Sequence, residues 1–150
     1  MSVTAGLERR GDLPTRELPV KWVIVLDRDL PRGLQANAAA CLAASVGVAV
    51  PDIVGEGGVD AAGAAHAGLP WTGCTVLAAP AAIVRRIRDD AAAEPDLVMA
   101  DMADLAQRAS VYNDYLAALA RAEEPSYYAV SLFGPRGVVE RLTGRLPLLR

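Results

Sequence analysis

A chain of 150 residues and 15.7 kDa has the length of one domain with a single core. Its 53% apolar content excludes a disordered chain, and no apolar run approaches the roughly 20 residues that cross a bilayer. The net charge of −3 comes from six basic and five acidic residues in 1–50, five and twelve in 51–125, and four and one in 126–150, an acidic balance that argues against broad contact with a nucleic-acid backbone.

The N-terminus, MSVTAGLERRGDLPTRELP, carries charges where a signal peptide needs an apolar stretch. Residues 1–19 are therefore expected to form a mobile or loosely docked tail on a cytoplasmic protein whose single domain is 20–150. The run 21–27 (KWVIVLD) is continuous and β-branched, the pattern of a strand buried on both faces. Residues 33–46 follow as an alanine-rich helix with Leu34, Ala38, Cys41, Leu42 and Ser45 near one stripe, and Gly47 offers a stop. Residues 48–54 read as a short extended piece. The glycine-rich stretch 55–73 is too long for an ordinary connection and reads as a hairpin or a lid.

Residues 74–79 (CTVLAA) give the next strand, and Pro80 opens a helix striped by Ile83, Val84, Ile87 and Ala91. A third strand is expected at 96–101. A long helix is expected over 104–120, where Leu105, Ala109, Tyr112, Leu116 and Leu119 lie three or four apart and would bury the Tyr112 ring. The fourth strand is 126–133 (SYYAVSLF). Gly134-Pro135 opens a last helix with Val138, Val139 and Leu142 inward, and Gly144 ends it before a short extended piece at 145–150. Four strands alternating with helices imply an α/β sandwich whose sheet is mostly parallel (mixed), with right-handed crossovers.

Nucleotide motifs fail on inspection. A Walker loop needs several glycines and a lysine followed by Ser or Thr, whereas the turn after the first strand has only Gly33 followed by Leu34. GEGGVD lacks the third glycine of a dinucleotide fingerprint, and no GxSxG elbow occurs. Cys41 and Cys74 lie far from CxxC spacing and His66 is the single histidine, so no metal site and no cofactor are expected and the thiols read as buried and reduced.

Ligands of parallel α/β sheets bind outside the carboxyl ends of the strands. Asp29 after the first strand and Asp101 at the end of the third could act as general bases, while Asp27 and Asp104 read as turn and cap residues. Gly134, Arg136 and Gly137 at the end of the fourth strand suit a carboxylate or phosphate. Asn37 adds a polar edge, and His66 in the 55–73 loop could swing over the cleft. Asp29, Asp101 and Arg136 are expected to meet around one hollow.

Two segments carry a family resemblance: KWVIVLDRDLPRGLQANAAACLAA (21–44) and YYAVSLFGPRGVVERLTGRLPLL (127–149). Both resemble type II peptidyl-tRNA hydrolases, with Lys21, Asp29, Cys41 and Asp101 on matching positions and Gln107 more loosely placed. The resemblance implies a three-layer α/β/α sandwich and suggests a homodimer. A closer match is to a bacterial family catalogued as domain of unknown function two thousand, through the D-x-D-L-P-x-G-L-x-A-N turn, the P-D-x-x-G loop and the L-T-G-x-L-P-L-L ending. The lysines expected to grip tRNA phosphates fall on Leu34 and Ala36, and the expected glutamine and histidine on Ala40 and Ala43.

These departures disfavour tRNA as a partner and favour a binding module for a small polar or anionic ligand. The alternatives are an ester or amide hydrolase using Asp29 or Asp101 with Lys21 or Arg136, and a partner-binding scaffold.

Overall fold

The structure is a computed structural model that describes residues 7–150. Strand β1 (Val20–Asp27) and strand β6 (Tyr127–Pro135) pair antiparallel at the centre of a four-stranded sheet. Strand β4 (Thr75–Ala79) lies parallel to β1 on one side, and β5 (Val98–Ala103) lies antiparallel to β6 on the other, giving the order β4-β1-β6-β5. The sheet is therefore mixed, with one parallel pair. The expectation of a mostly parallel sheet is corrected by β6, which runs against its three companions.

The continuous apolar run of β1 is explained by helices on both faces. Trp22, Ile24 and Leu26 point to helix α1 (Arg32–Ala49), packing on Ala38, Leu42 and Val46. Val23 and Val25 point the other way, to Val84, Ile87 and Ala91 of helix α2 (Ala81–Ala92) and Val139 of helix α5 (Arg136–Thr143). Ser131 of β6 is fully buried on the α1 face, where its hydroxyl accepts from Trp22 Nε1 at 2.8 Å, so neither polar atom is left unpaired.

Helix α1 passes through Gly47, the expected stop, and ends before Pro51, because the residue preceding a proline avoids the helical region. Val50 there has φ −130° and ψ 74°. The expected extended piece at 48–54 is instead the helix end followed by a 3-10 turn, Pro51–Ile53. Residues 55–73 form a small hairpin of β2 (Gly58–Val59) and β3 (Ala65–His66). Its glycines have a packing reason: a Cβ on Gly68 would lie 1.9 Å from the Gly55 oxygen, and one on Gly57 would lie 2.5 Å from the His66 oxygen.

The expected helix at 104–120 is broken. Helix α3 (Asp104–Arg108) ends at an extended Ala109, and helix α4 (Tyr112–Arg121) starts after an equally extended Val111. Strand direction supplies the reason. An antiparallel β5–β6 pair needs the chain to return to the end of the sheet it left, and Asp104 N donates to Ser126 O across that return. An unbroken helix of 17 residues would carry the chain about 25 Å away, a distance the short segment before β6 could recover only if almost fully extended. The whole helix would have suited a parallel crossover, so the two misreadings share one origin. Helix α4 buries no residue, and Tyr112 is 71% exposed rather than inward.

The chain ends as the extended piece expected there. Leu148 bridges Leu77, while Ala78 N donates to Pro147 O and Leu149 N to Val76 O, covering the outer edge of β4. Of the expected tail, residues 1–6 lie outside the described residues. Within 7–19, Leu7 packs against the α1-side core and Leu18 is 1% exposed. Among the described residues no helix is long and apolar enough to cross a membrane.

Candidate functional sites

The turn after β1 is ordered by its own side chains. Asp27 Oδ1 accepts from Asp29 N at 2.9 Å, and Gln35, buried in the first turns of α1, donates to Asp27 O at 3.2 Å. Asp27 thus acts as a turn residue, as its place after an apolar run suggests. Asp29 is exposed in that turn.

The direction of β6 separates the expected cluster. Lys21 pairs with Gly134 at the start of β1, whereas Asp27 lies at the other end of that strand, six residues and roughly 20 Å away. Asp101 sits on β5 opposite Val130, four β6 residues from Gly134, an offset of roughly 13 Å along the sheet. Arg136 and Gly134 therefore stand at the end opposite Asp29. The single hollow expected for Asp29, Asp101 and Arg136 does not form, and two separate sites take its place.

The first is a groove of about 510 Å³ between α1 and the α3–α4 break, lined by Asn37, Cys41, Ser45, Asp101, Gln107 and Tyr115 among others. Asn37 and Cys41 of α1 meet Asp101 and Gln107, some sixty residues further along the chain, here. Asp101 Oδ2 accepts from Arg88 Nε at 2.9 Å, and the Arg88 guanidinium lies 5.0 Å from the Tyr127 ring centre. Burial and the hydrogen bonds that Arg88 donates to Asp101 and Asp89 act in opposite directions on it, and the bonds prevail, holding it more firmly charged. Burial, reinforced by the Asp101 charge, raises the Tyr115 hydroxyl, which stays a protonated donor at neutral pH. Cys41 is exposed in this groove, contrary to the expectation of a buried thiol, because the buried stripe of α1 runs through Gln35, Ala38, Leu42 and Val46 instead.

The second is a cleft of about 340 Å³ at the start of β1, where Arg16, Lys21, Arg136, Thr72, Cys74 and Thr75 meet. Arg136 is largely committed. Its Nε donates to Leu18 O at 2.6 Å, Nη2 reaches the Thr15 and Val20 carbonyls, and Nη1 pairs with Glu140 at 2.9 Å. Its backbone N–H, at the start of α5, is not free for an anion but donates to Pro19 O at 2.9 Å. Gly134 is required by packing, since a Cβ there would lie 2.6 Å from Leu97 Cδ2 and 3.0 Å from Asp96 O. Gly137 opens α5 with open space around it. Cys74 is exposed as a residue, but desolvation of its thiol pushes it up to about 12, so it carries no charge at neutral pH.

His66 belongs to neither site. It sits on the hairpin, with Nε2 3.0 Å from Asp60 Oδ2, and Asp60 also accepts from Ala62 N and Ala64 N to close the hairpin tip. Among the described residues no three His, Cys, Asp or Glu side chains are grouped to hold a metal ion. Sequence reading missed Gln35 and Tyr115. Gln35 breaks the apolar stripe of α1 where the turn carbonyls need a donor, whereas no local signal marked Tyr115.

The family profile described as protein of unknown function (DUF2000) matches residues 20–150. The chain belongs to that family. A solved protein of unknown function from Agrobacterium tumefaciens is similar in fold, with a TM-score of 0.79 and 19% identity over 87% of this chain and 98% of its own. No curated protein matches the chain. The family and the fold are thus shared with proteins to which no activity is attached, and the chemistry rests on the sites themselves.

Proposed function

We propose that this DUF2000 protein is a non-enzymatic binding module whose α1/α3–α4 groove takes a small polar ligand. The supporting observation is the convergence of Asn37, Asp101 and Gln107 with Tyr115 in one groove of ligand size whose walls mix polar and apolar side chains. Asp101 already shares one oxygen with Arg88, which leaves the other to accept from a ligand hydroxyl or amine, while the Tyr115 phenol donates. In this reading the layering resembles that of type II peptidyl-tRNA hydrolases, because the two resembling segments fall on β1–α1 and β6–α5. The hydrolase alternative needs a carboxylate beside Lys21 or Arg136, and the carboxylate beside both is Glu140, not Asp29 or Asp101.

Two measurements test the proposal. Titrating labelled protein with small polyols, amines and amino acids should give saturable amide shifts at residues 37, 101 and 115 that Asp101→Asn weakens at least fivefold. Hydrolysis of peptidyl-tRNA or aminoacyl esters that disappears in Asp101→Asn would overturn it.

A further inference from the structure

We infer that the cleft at the start of β1 is a second binding site, for a small oxyanion (a carboxylate or a phosphate group), with Lys21 as its primary contact. Three cations line this cleft and no acidic residue does, in a protein whose net charge is −3. The nearest carboxylate, Glu140, is shared by Arg136 Nη1 at 2.9 Å and Lys21 Nζ at 3.4 Å. One carboxylate against two inner cations leaves positive charge uncompensated, while Arg16 at the rim is paired loosely with Glu17 at 3.7 Å.

The two inner cations have different duties. Arg136 spends its donors on the Thr15, Leu18 and Val20 carbonyls and fixes the cleft wall. Lys21 makes a single long contact with Glu140, so its remaining N–H groups are available, and it projects from the rigid first strand rather than from a loop. Thr75 adds a hydroxyl, whereas that of Thr72 donates to Gly73 O at 2.8 Å and shapes the wall, and the un-ionised Cys74 thiol brings no charge to repel an anion. A volume of about 340 Å³ lies at the small end of ligand cavities, which suits one anionic group on a compact molecule.

Amide shifts followed against inorganic phosphate and, separately, acetate at constant ionic strength test the site. Phosphate, acetate or both should give saturable shifts at residues 21, 73 and 75, and whichever binds names the source of the oxyanion. Lys21→Met should weaken binding at least tenfold, whereas Arg145→Gln, which removes the same charge from an exposed position, should leave it within twofold. If Lys21→Met fails to fold, Arg16→Gln should weaken binding at least threefold. Shifts that never saturate, or an equal loss in Arg145→Gln, would overturn the inference.

Discussion

The β1–β6 pair and the α3–α4 arm both place apolar residues in a regular pattern along the chain, yet they end in opposite environments. Leu132 and Phe133 are fully buried between helices, while Leu116 is 44% and Tyr112 71% exposed, with the two tyrosine rings of α4 set edge to face at 5.7 Å. A helical stripe states which residues could face a core. It does not state whether the chain's direction allows them to reach one. In the arm, the need to return beside β5 overrides the periodicity, and the break that results also forms one wall of the groove.

Truncation across the two regions should expose this contrast. Leu132→Ala leaves a cavity in the densest part of the core and should cost about 3 kcal/mol in urea unfolding. Arg136→Met strands the partly buried carbonyls of Leu18 and Val20, for a loss of about 2 kcal/mol and earlier proteolysis within 7–19. Asp101→Asn disrupts an ion pair that is about one quarter exposed on each side, so the cost should stay at or below about 1 kcal/mol. Leu116→Ala on the arm should fall within about 0.5 kcal/mol of the parent, and a larger loss would show that α4 is packed more tightly than its exposure indicates.

Acid should separate the regions as well. Glu140 titrates below its ordinary value of 4.5, chiefly through its hydrogen bond to Arg136 and secondarily through the Lys21 charge. Its contribution is complete above that ordinary value and fades as the pH falls through the lowered one, so amide exchange at 15–20 should accelerate there. Thiol labelling gives the finest contrast. Cys74, raised to about 12, should react at least tenfold more slowly at pH 8 than Cys41 in the groove.

Much of the fold was legible because the strands are short apolar runs bounded by charge, proline or glycine, and β1, β4, β6, α2 and α5 all fall where those boundaries put them. Strand direction was not legible. Nothing in SYYAVSLF states which way it runs beside KWVIVLD, and that one unknown misplaced Arg136 relative to Asp29. The groove was half legible: Asn37 and Asp101 stood out as polar residues beside apolar runs, but Tyr115 enters it only because the chain breaks at Ala109.

The C-terminal residues that bridge Leu77 occupy the free side of β4, so among the described residues the sheet keeps a single unclaimed rim, at β5. Growth by strand addition can proceed in one direction only and stops once two such rims have met, which protects the chain from open-ended fibres. A fusion or tag that pulls the terminus away would restore the second rim and remove that safeguard.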